Sequence, residues 1–402
     1  MIKDLLRSYC LHKGGYETLC VGKTHFYPQR VKLGFEEIRL YDRSKKAPGD
    51  SANTSDYHAW LATETAGRIN DTGAVSNGNS WLAHPWVEAE RLHPTAWTTD
   101  NAIELLERRD PTRPFFLQVG YHRPHPPLDP PLRYYEQYLE RDIPLPQVGD
   151  WARESACKPM RAIAGDRGTL PDHVLRRSLC AYYAQMSHID HDIGRLMYYL
   201  NRNAALRDNT YVIFASDHGE QLGDHGLYRK STPFEGSARI PFVVRPPRSC
   251  TDAVRGVVND IPVSHVDIMP TLLELAGESI PKAVEGMSLV PVITGGTPPR
   301  RDYLHGEHAG WSGWHYVTDG KEKFIWSSRT GRELFFDLQL DRAELNDLLD
   351  SPDHVGRIKL WRQRLVDTLS KRPQDGLSDG NNLIPGKALP HVRPPAMVSP
   401  VS

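Results

Sequence analysis

Four short apolar runs rich in β-formers, at Glu17–Val21, Pro114–Tyr121, Asn209–Ala215 and Arg239–Val244, are separated by stretches long enough to hold helices. This alternation constrains the fold more than any other feature of the sequence. Parallel strands need a crossover of roughly a dozen residues or more, and the crossover helix then covers a face of the sheet. The expected class is therefore α/β, with a mostly parallel sheet flanked by helices on both faces. The clearest helix runs from about Pro171 to Asn201. Another begins near Val266, with Asp267 and Pro270 in its first turn, Leu272, Leu273 and Leu275 on its apolar face, and Gly277 as its stop. At the N-terminus Ile2, Leu5, Leu6, Tyr9 and Cys10 recur at helical spacing and predict an amphipathic helix over Met1–Cys10.

Between Gly277 and Asp302 the composition turns to Gly and Pro, which reads as an interdomain linker. Beyond it, His315–Thr318, Lys323–Ser327 and Glu333–Leu338 predict short antiparallel strands joined at Asp319-Gly320 and Thr330-Gly331, and a helix covers about Val355–Ser370. The expected organisation is an α/β domain over residues 1–285, a smaller α+β subdomain over 300–380, and an extended, proline-rich tail over 381–402.

Lys and Arg total 49 against 50 Asp and Glu, so there is no global field to attract nucleic acid or an anionic membrane, and neither is expected as a partner. No apolar run approaches the roughly 20 residues that span a bilayer. Asp4 and Arg7 interrupt the N-terminal stretch, which therefore lacks the apolar core of a signal peptide. The expectation is a soluble chain of open compartment, secreted only if a leader lies upstream. Five scattered cysteines, without Cys-x-x-Cys spacing, point to neither a disulfide framework nor a zinc knuckle.

In open α/β sheets ligands bind beyond the carboxyl ends of the strands. Three polar segments follow strand-like runs: Gly22-Lys23-Thr24-His25, His122-Arg123-Pro124-His125 and Ser216-Asp217-His218-Gly219-Glu220. A lone histidine in a loop is ordinarily just solvated. Together, however, these segments bring ammonium, imidazole and carboxylate groups to one rim, a set suited to a tetrahedral anion beside a cation.

The run from Ser216 through Gly226 with Lys230, followed by Phe234-Glu235-Gly236-Ser237-Ala238-Arg239-Ile240-Pro241, resembles the second metal-binding segment of the formylglycine-dependent sulfatases of the alkaline phosphatase superfamily. Gly15-Tyr16-Glu17-Thr18 leading to His25, Phe115 through His125, Val266 through Leu273, and Glu333 through Leu338 are similar to further landmarks of that arylsulfatase-like family, so the resemblance covers roughly Leu5 to Gly380. It implies an alkaline-phosphatase-like fold and hydrolysis of sulfuric esters, with an aryl sulfate or a sulfated glycan as substrate. Carried over position by position, Asp217 and His218 would ligate a divalent cation, Ca²⁺ by family habit. Lys23 and Lys230 would hold sulfate oxygens, His25 would orient or deprotonate the nucleophilic hydroxyl, and His125 would protonate the leaving oxygen.

The same resemblance implies a formylglycine nucleophile in a Cys/Ser-x-Pro-Ser-Arg motif and an Asp-Asp pair upstream of the Gly-Tyr-x-Thr segment. Only fourteen residues precede Gly15, and they carry neither. The expectation is thus an N-terminally truncated family member, lacking the first strand and nucleophile helix, with half a metal site and no turnover as given. A formylglycine-generating or equivalent maturase would be a partner only of a longer form. Cys157-Lys158-Pro159-Met160-Arg161 has Cys-x-Pro-x-Arg spacing but lies downstream of His125, where the family has no nucleophile. His188, His191 and Asp192 share a helical face and are best read as ordinary surface residues, although zinc spacing is present. His305-Gly306-Glu307-His308 opens the smaller unit and could reach the organic part of a substrate. Two other functions remain: a phosphonate monoester or phosphodiester hydrolase of the same fold, and a non-catalytic pseudoenzyme that binds sulfated ligands.

Overall fold

The computed structural model describes residues 7–26, 29–42, 55–69, 71, 78–308 and 313–386. The strands are β1 Glu17–Gly22, β2 Glu37–Leu40, β3 Phe115–Gly120, β4 Val212–Ala215, β5 Phe242–Arg245, β6 Leu304–His308, β7 Trp314–Thr318, β8 Glu322–Ser327 and β9 Glu333–Asp337. The α-helices are α1 Arg7–Lys13, α2 Asp56–Glu64, α3 Pro94–Arg108, α4 Leu132–Leu139, α5 Arg153–Ala156, α6 Asp172–Arg202, α7 Ala204–Asn209, α8 Glu235–Ala238, α9 Ile268–Leu275, α10 Val290–Ile293 and α11 Val355–Ser370.

The molecule is an α/β protein with a parallel sheet flanked by helices and a separate antiparallel sheet at its C-terminal end. In the first sheet β1 is central and runs parallel to both β2 and β3, with Glu17 opposite Phe115 and Gly22 opposite Gly120. Successive side chains alternate faces. Leu19 and Val21 are buried on Ala102 and Leu105 of α3, with Leu196 of α6 beside them. On the other face Phe116 stacks on Phe35 and α1 packs across β1. β2 escaped the sequence reading because Glu37-Ile38-Arg39-Leu40 is short and half charged; Arg39 spends its charge on Glu104 at 2.9 Å.

Among the described residues β4 pairs only with β5, antiparallel, with Val212 opposite Arg245 and Ala215 opposite Phe242. The expected strand over Asn209–Ala215 is shorter than the apolar run, since Asn209 ends α7. β3 and β4 do not pair with each other among the described residues, yet Phe115, Leu117 and Val212 pack around one cluster with Leu196 and Met197 of α6. Both strands are therefore laid on the same long helix.

Three sequence expectations need correction. In the N-terminal helix the described part, α1, buries Ser8 and Leu11, one step round from the stripe that includes Tyr9 and Cys10. The reason is local: Ser8 Oγ donates to Leu33 O at 2.7 Å, holding that side against the chain. Residues 1–6, with Ile2, Leu5 and Leu6, lie outside the described residues. The Gly- and Pro-rich stretch after Gly277 is packed rather than free. Leu289 and Ile293 are buried, Leu289 N donates to Thr271 Oγ1 at 2.9 Å, and Arg301 holds the Asp267 carboxylate with two bonds of 2.7 Å. Asp267 also caps its own helix, accepting from Ser264 N at 2.8 Å. Finally, residues 381–386 of the expected tail fold back, with Ile384 N on Leu377 O at 2.9 Å and Gly386 N on Ser328 O at 2.8 Å; residues 387–402 lie outside the described residues.

The C-terminal sheet has the order β6-β7-β8-β9, all antiparallel. β6 was not anticipated. Phe324, Trp326 and Phe335 pack against Trp361, Leu365 and Leu369 of α11, while Ile325, Leu334 and Phe336 face Phe234, Leu227 and Trp151 from the α/β part. The two parts share this second core. At its edge Lys323, 1% exposed, pairs with Glu344 at 2.9 Å and Glu235 at 2.6 Å.

Candidate active site

Three strand ends meet at one rim. Gly22 closes β1 with φ of 92°, and a Cβ there would lie 2.1 Å from Gly120 O, so only glycine allows the two strands to close up at this point. Lys23 N then donates to Gly120 O at 2.8 Å, and Lys23 Nζ reaches across to Asp217 Oδ2 at 2.7 Å. Asp217 stands just past β4. The next turn is anchored by Gly219, whose N donates to Ser237 O at 2.8 Å and whose missing Cβ leaves room for Gly236 O. His218 Nδ1 donates to Gly219 O at 2.7 Å, which leaves Nε2 with its lone pair, 3.7 Å from Asp217 Oδ1.

From β3, the loop His122–His125 is fixed from below. Arg123, buried, donates twice to Asp129 at 2.6 Å, once to Tyr41 Oη at 2.9 Å and once to His122 Nδ1 at 3.0 Å. His125 lies over His122, with ring centroids 5.1 Å apart, and 6.4 Å from the ring of His218. Its Nδ1 donates to Pro126 O at 2.8 Å. His25 is held by the buried Asp42, which accepts from its backbone N at 2.6 Å and its Nδ1 at 3.0 Å.

His25, His122, His125, Arg229 and Lys230 line a cavity of about 490 Å³. A wider depression of about 940 Å³ between α3 and α6, lined by Glu107, His191, Arg195 and Tyr198 among others, gathers none of these groups. Side chains that follow separate strands converge on the smaller cavity, which makes it the candidate site. Non-glycine residues with left-handed backbone cluster around it: His25 at φ 54°, Arg229 at 67° and Ser231 at 75°. Such conformations are costly and persist where the surroundings over-determine them.

The electrostatics favour an anion. Burial, then the charge of Lys230, pushes the His125 imidazole down to about 3, so it is neutral near pH 7. Burial and then Lys23 lower Lys230, and burial also lowers His218. Burial opposes ionisation of Asp217, but the hydrogen bond and charge of Lys23 outweigh it and hold the carboxyl below its usual range. Glu220 is pushed up to about 7 by burial; its Oε1 accepts from Arg229 N and from Leu222 N at 3.3 Å, which clamps the turn carrying Lys230.

The structure thus brings together Lys23, His25, His125, Asp217, His218 and Lys230. Sequence reasoning gave no role to Asp42, Glu220, Arg229 or the Arg123–Asp129 pair. Arg229 was legible as a second cation beside Lys230, whereas Asp42 meets His25 only because β2 lies beside β1. As a metal site, Asp217 and His218 offer carboxylate oxygen and one imidazole nitrogen. Ca²⁺ takes about 6–8 oxygen ligands, so these two residues do not make a calcium site by themselves. Cys157 is exposed at the end of α5 and does not line the cavity. His188 and Asp192 pair at 3.0 Å inside the fold, while His191 is exposed on the other side of the helix.

The chain is similar to several known proteins. The Sulfatase family model matches residues 8–278, and the model described as N-sulphoglucosamine sulphohydrolase, C-terminal, matches residues 223–371. An arylsulfatase of Clostridium perfringens is 40% identical over 397 residues, covering 95% of this chain and 82% of the relative. A choline-sulfatase of Rhizobium meliloti is 29% identical, covering 85% and 66%. Among solved structures, the phosphonate monoester hydrolase of Agrobacterium radiobacter superposes with a TM-score of 0.71 at 24% identity, covering 91% and 80%. BT4656 in complex with its substrate D-glucosamine-2-N,6-O-disulfate superposes with a TM-score of 0.67 at 20% identity, covering 92% and 82%. The chain belongs to the sulfatase family.

Proposed function

We propose that the rim of β1, β3 and β4 recognises the sulfuryl group of an aryl or carbohydrate sulfate ester. The observation that carries this reading is the convergence of Lys23 and His25 from one loop with His125 and Lys230 from two others, the Asp217 carboxylate accepting from Lys23 and the Asp42 carboxylate from His25. Lys23 and Lys230 bind sulfate oxygens, and their repulsion for one another is relieved when an anion sits between them. Asp42 fixes His25 with its Nδ1 proton directed inward, leaving Nε2 to orient or deprotonate a nucleophilic hydroxyl. His125 is neutral in the free site. A bound sulfate opposes the effect of the two lysines and raises its proton affinity, which is the change a general acid for the leaving oxygen needs.

In the family reading Asp217 and His218 contribute part of a divalent-cation site, Ca²⁺ by family habit, and the nucleophile is a formylglycine. This sequence carries no Cys/Ser-x-Pro-Ser-Arg motif to supply it. The proposal for the rim is recognition of sulfate esters, and the maturase is a partner of a form that carries the motif.

The test is calorimetric titration of the chain with 4-nitrophenyl sulfate and with phenylphosphonate, alongside an assay for nitrophenol release. Binding of the sulfate ester, weakened at least about 10-fold by Lys230→Ala or Lys23→Ala, is expected, since a charge-assisted hydrogen bond contributes about 1.5–3 kcal/mol. Unchanged affinity in both variants overturns the site. Tighter binding of phenylphosphonate favours the phosphonate reading, and nitrophenol release by the wild-type chain overturns the non-catalytic one.

A further inference from the structure

The C-terminal sheet holds a second group of metal-type side chains, apart from the rim residues. β6 and β7 pair antiparallel with Glu307 opposite His315 and His305 opposite Val317. With side chains alternating along each strand, His305, Glu307 and His315 therefore share one face. His305 Nε2 lies 3.3 Å from His315 Nδ1, His315 Nδ1 lies 3.5 Å from Glu307 Oε2, and the three ligand atoms all fall within 4.8 Å of one another. Among the described residues no other trio of His, Cys, Asp or Glu meets that spacing.

These distances have a simple meaning. Zinc binds His nitrogen at about 2.0–2.1 Å and carboxylate oxygen at about 2.0–2.2 Å, so neighbouring ligands of a tetrahedral zinc stand about 3.3–3.5 Å apart. Two edges of such a tetrahedron are already in place, and the third needs only a modest rotation of Glu307, whose side chain is 40% exposed. His315 is 3% exposed and packs on Trp326, which fixes the deepest ligand. Glu307 is held in turn by Arg372, just past α11, with Nη1 on Oε2 at 2.8 Å, and Asp375 anchors that arginine at 2.5 Å. A carboxylate oriented by its own hydrogen-bond partner is the usual support for a metal ligand.

We infer that His305, Glu307 and His315 form a site for a divalent transition metal of the zinc class, with water as fourth ligand, clasping the β6–β7 hairpin to the end of α11. Imidazole and carboxylate together suit zinc, cobalt or nickel, whereas calcium and magnesium demand more oxygen. The competing account is a plain hydrogen bond between the two imidazoles, with one proton where the metal would be.

Untagged, chelator-treated full chain titrated with Zn²⁺ separates the two. The expected result is one equivalent bound, a rise in Tm, and visible absorption of tetrahedral Co²⁺ when cobalt replaces zinc. His315→Ala should abolish all three. Since that variant opens a buried position, Glu307→Gln, which alters a half-exposed side chain, serves as the second probe and should weaken zinc at least 10-fold with the fold intact. Loss of the bound equivalent in Asp217→Asn, at the rim, would place the zinc there and overturn the site. No zinc binding by the wild-type chain, or equal binding by wild type and Glu307→Gln, overturns the site.

Discussion

The C-terminal sheet and the β3–β5 region use similar side chains and cover them differently. In β8 every residue after Glu322 is buried, and Phe335 and Phe336 of β9 are fully enclosed. In β3 no residue is fully buried, and Phe214 of β4 and Val243 of β5 remain 43% and 56% exposed. Yet β3 and β4 deliver His125 and Asp217 to the rim, while the closed sheet mainly contributes cores. The part of the molecule that carries the proposed anion-binding groups is the less completely packed part, and the part that is well packed holds the two cores together. Stability and recognition are divided between them.

The largest expected effect lies in the shared core. Lys323→Met leaves Glu344 buried without its counter-charge, and breaking such a pair costs about 3–5 kcal/mol; the denaturant midpoint should fall accordingly, and a double variant that also replaces Glu344 with leucine should recover part of the loss. Phe335→Ala is expected to cost about 3–5 kcal/mol by transfer and cavity terms, against about 1 kcal/mol or less for Phe214→Ala. Equal losses at the two positions would erase the contrast between the sheets.

A pH effect of similar or smaller size follows from His225, which is packed between Trp151 and Phe234 and pushed down to about 4 by burial. An unfolded histidine takes its proton near 6.5 and the folded one only near 4, so the unfolded chain binds more protons between these values. Stability contributed by neutral His225 is complete above about pH 6.5 and is lost as the pH falls toward 4, at up to about 1.4 kcal/mol per pH unit. His225→Gln should flatten that part of a stability-against-pH curve. Smallest is the rim: Lys230→Ala should weaken sulfate-ester binding at least about 10-fold, roughly 1.4 kcal/mol, and leave the unfolding midpoint nearly unchanged. A large fall in stability there would mean that Lys230 is structural.

Much of the fold could be read from local pattern. The α11 limits Val355 and Ser370 follow from one amphipathic repeat, and the turns at Gly320 and Gly331 follow from residues that tolerate left-handed backbone, at φ 83° and 75°. β2 and β6 were missed because their side chains are half polar and only their neighbours make them strands. The candidate site was legible where strand ends meet polar segments. It was not legible at Asp42 or Arg123, whose partners lie on other loops and whose role is to hold a histidine.

By itself the sequence determined the α/β class and the family resemblance and named the six candidate residues, because periodicity and contiguous motifs are local properties of the chain. Which side of α1 is buried, that the Gly- and Pro-rich stretch packs on Thr271 and Asp267, that the two parts share a core at Phe234 and Ile325, and that His305, Glu307 and His315 share one face were decided only by tertiary structure. Each depends on residues far apart in sequence, whose meeting is set by strand register and by the burial of groups that no local window contains.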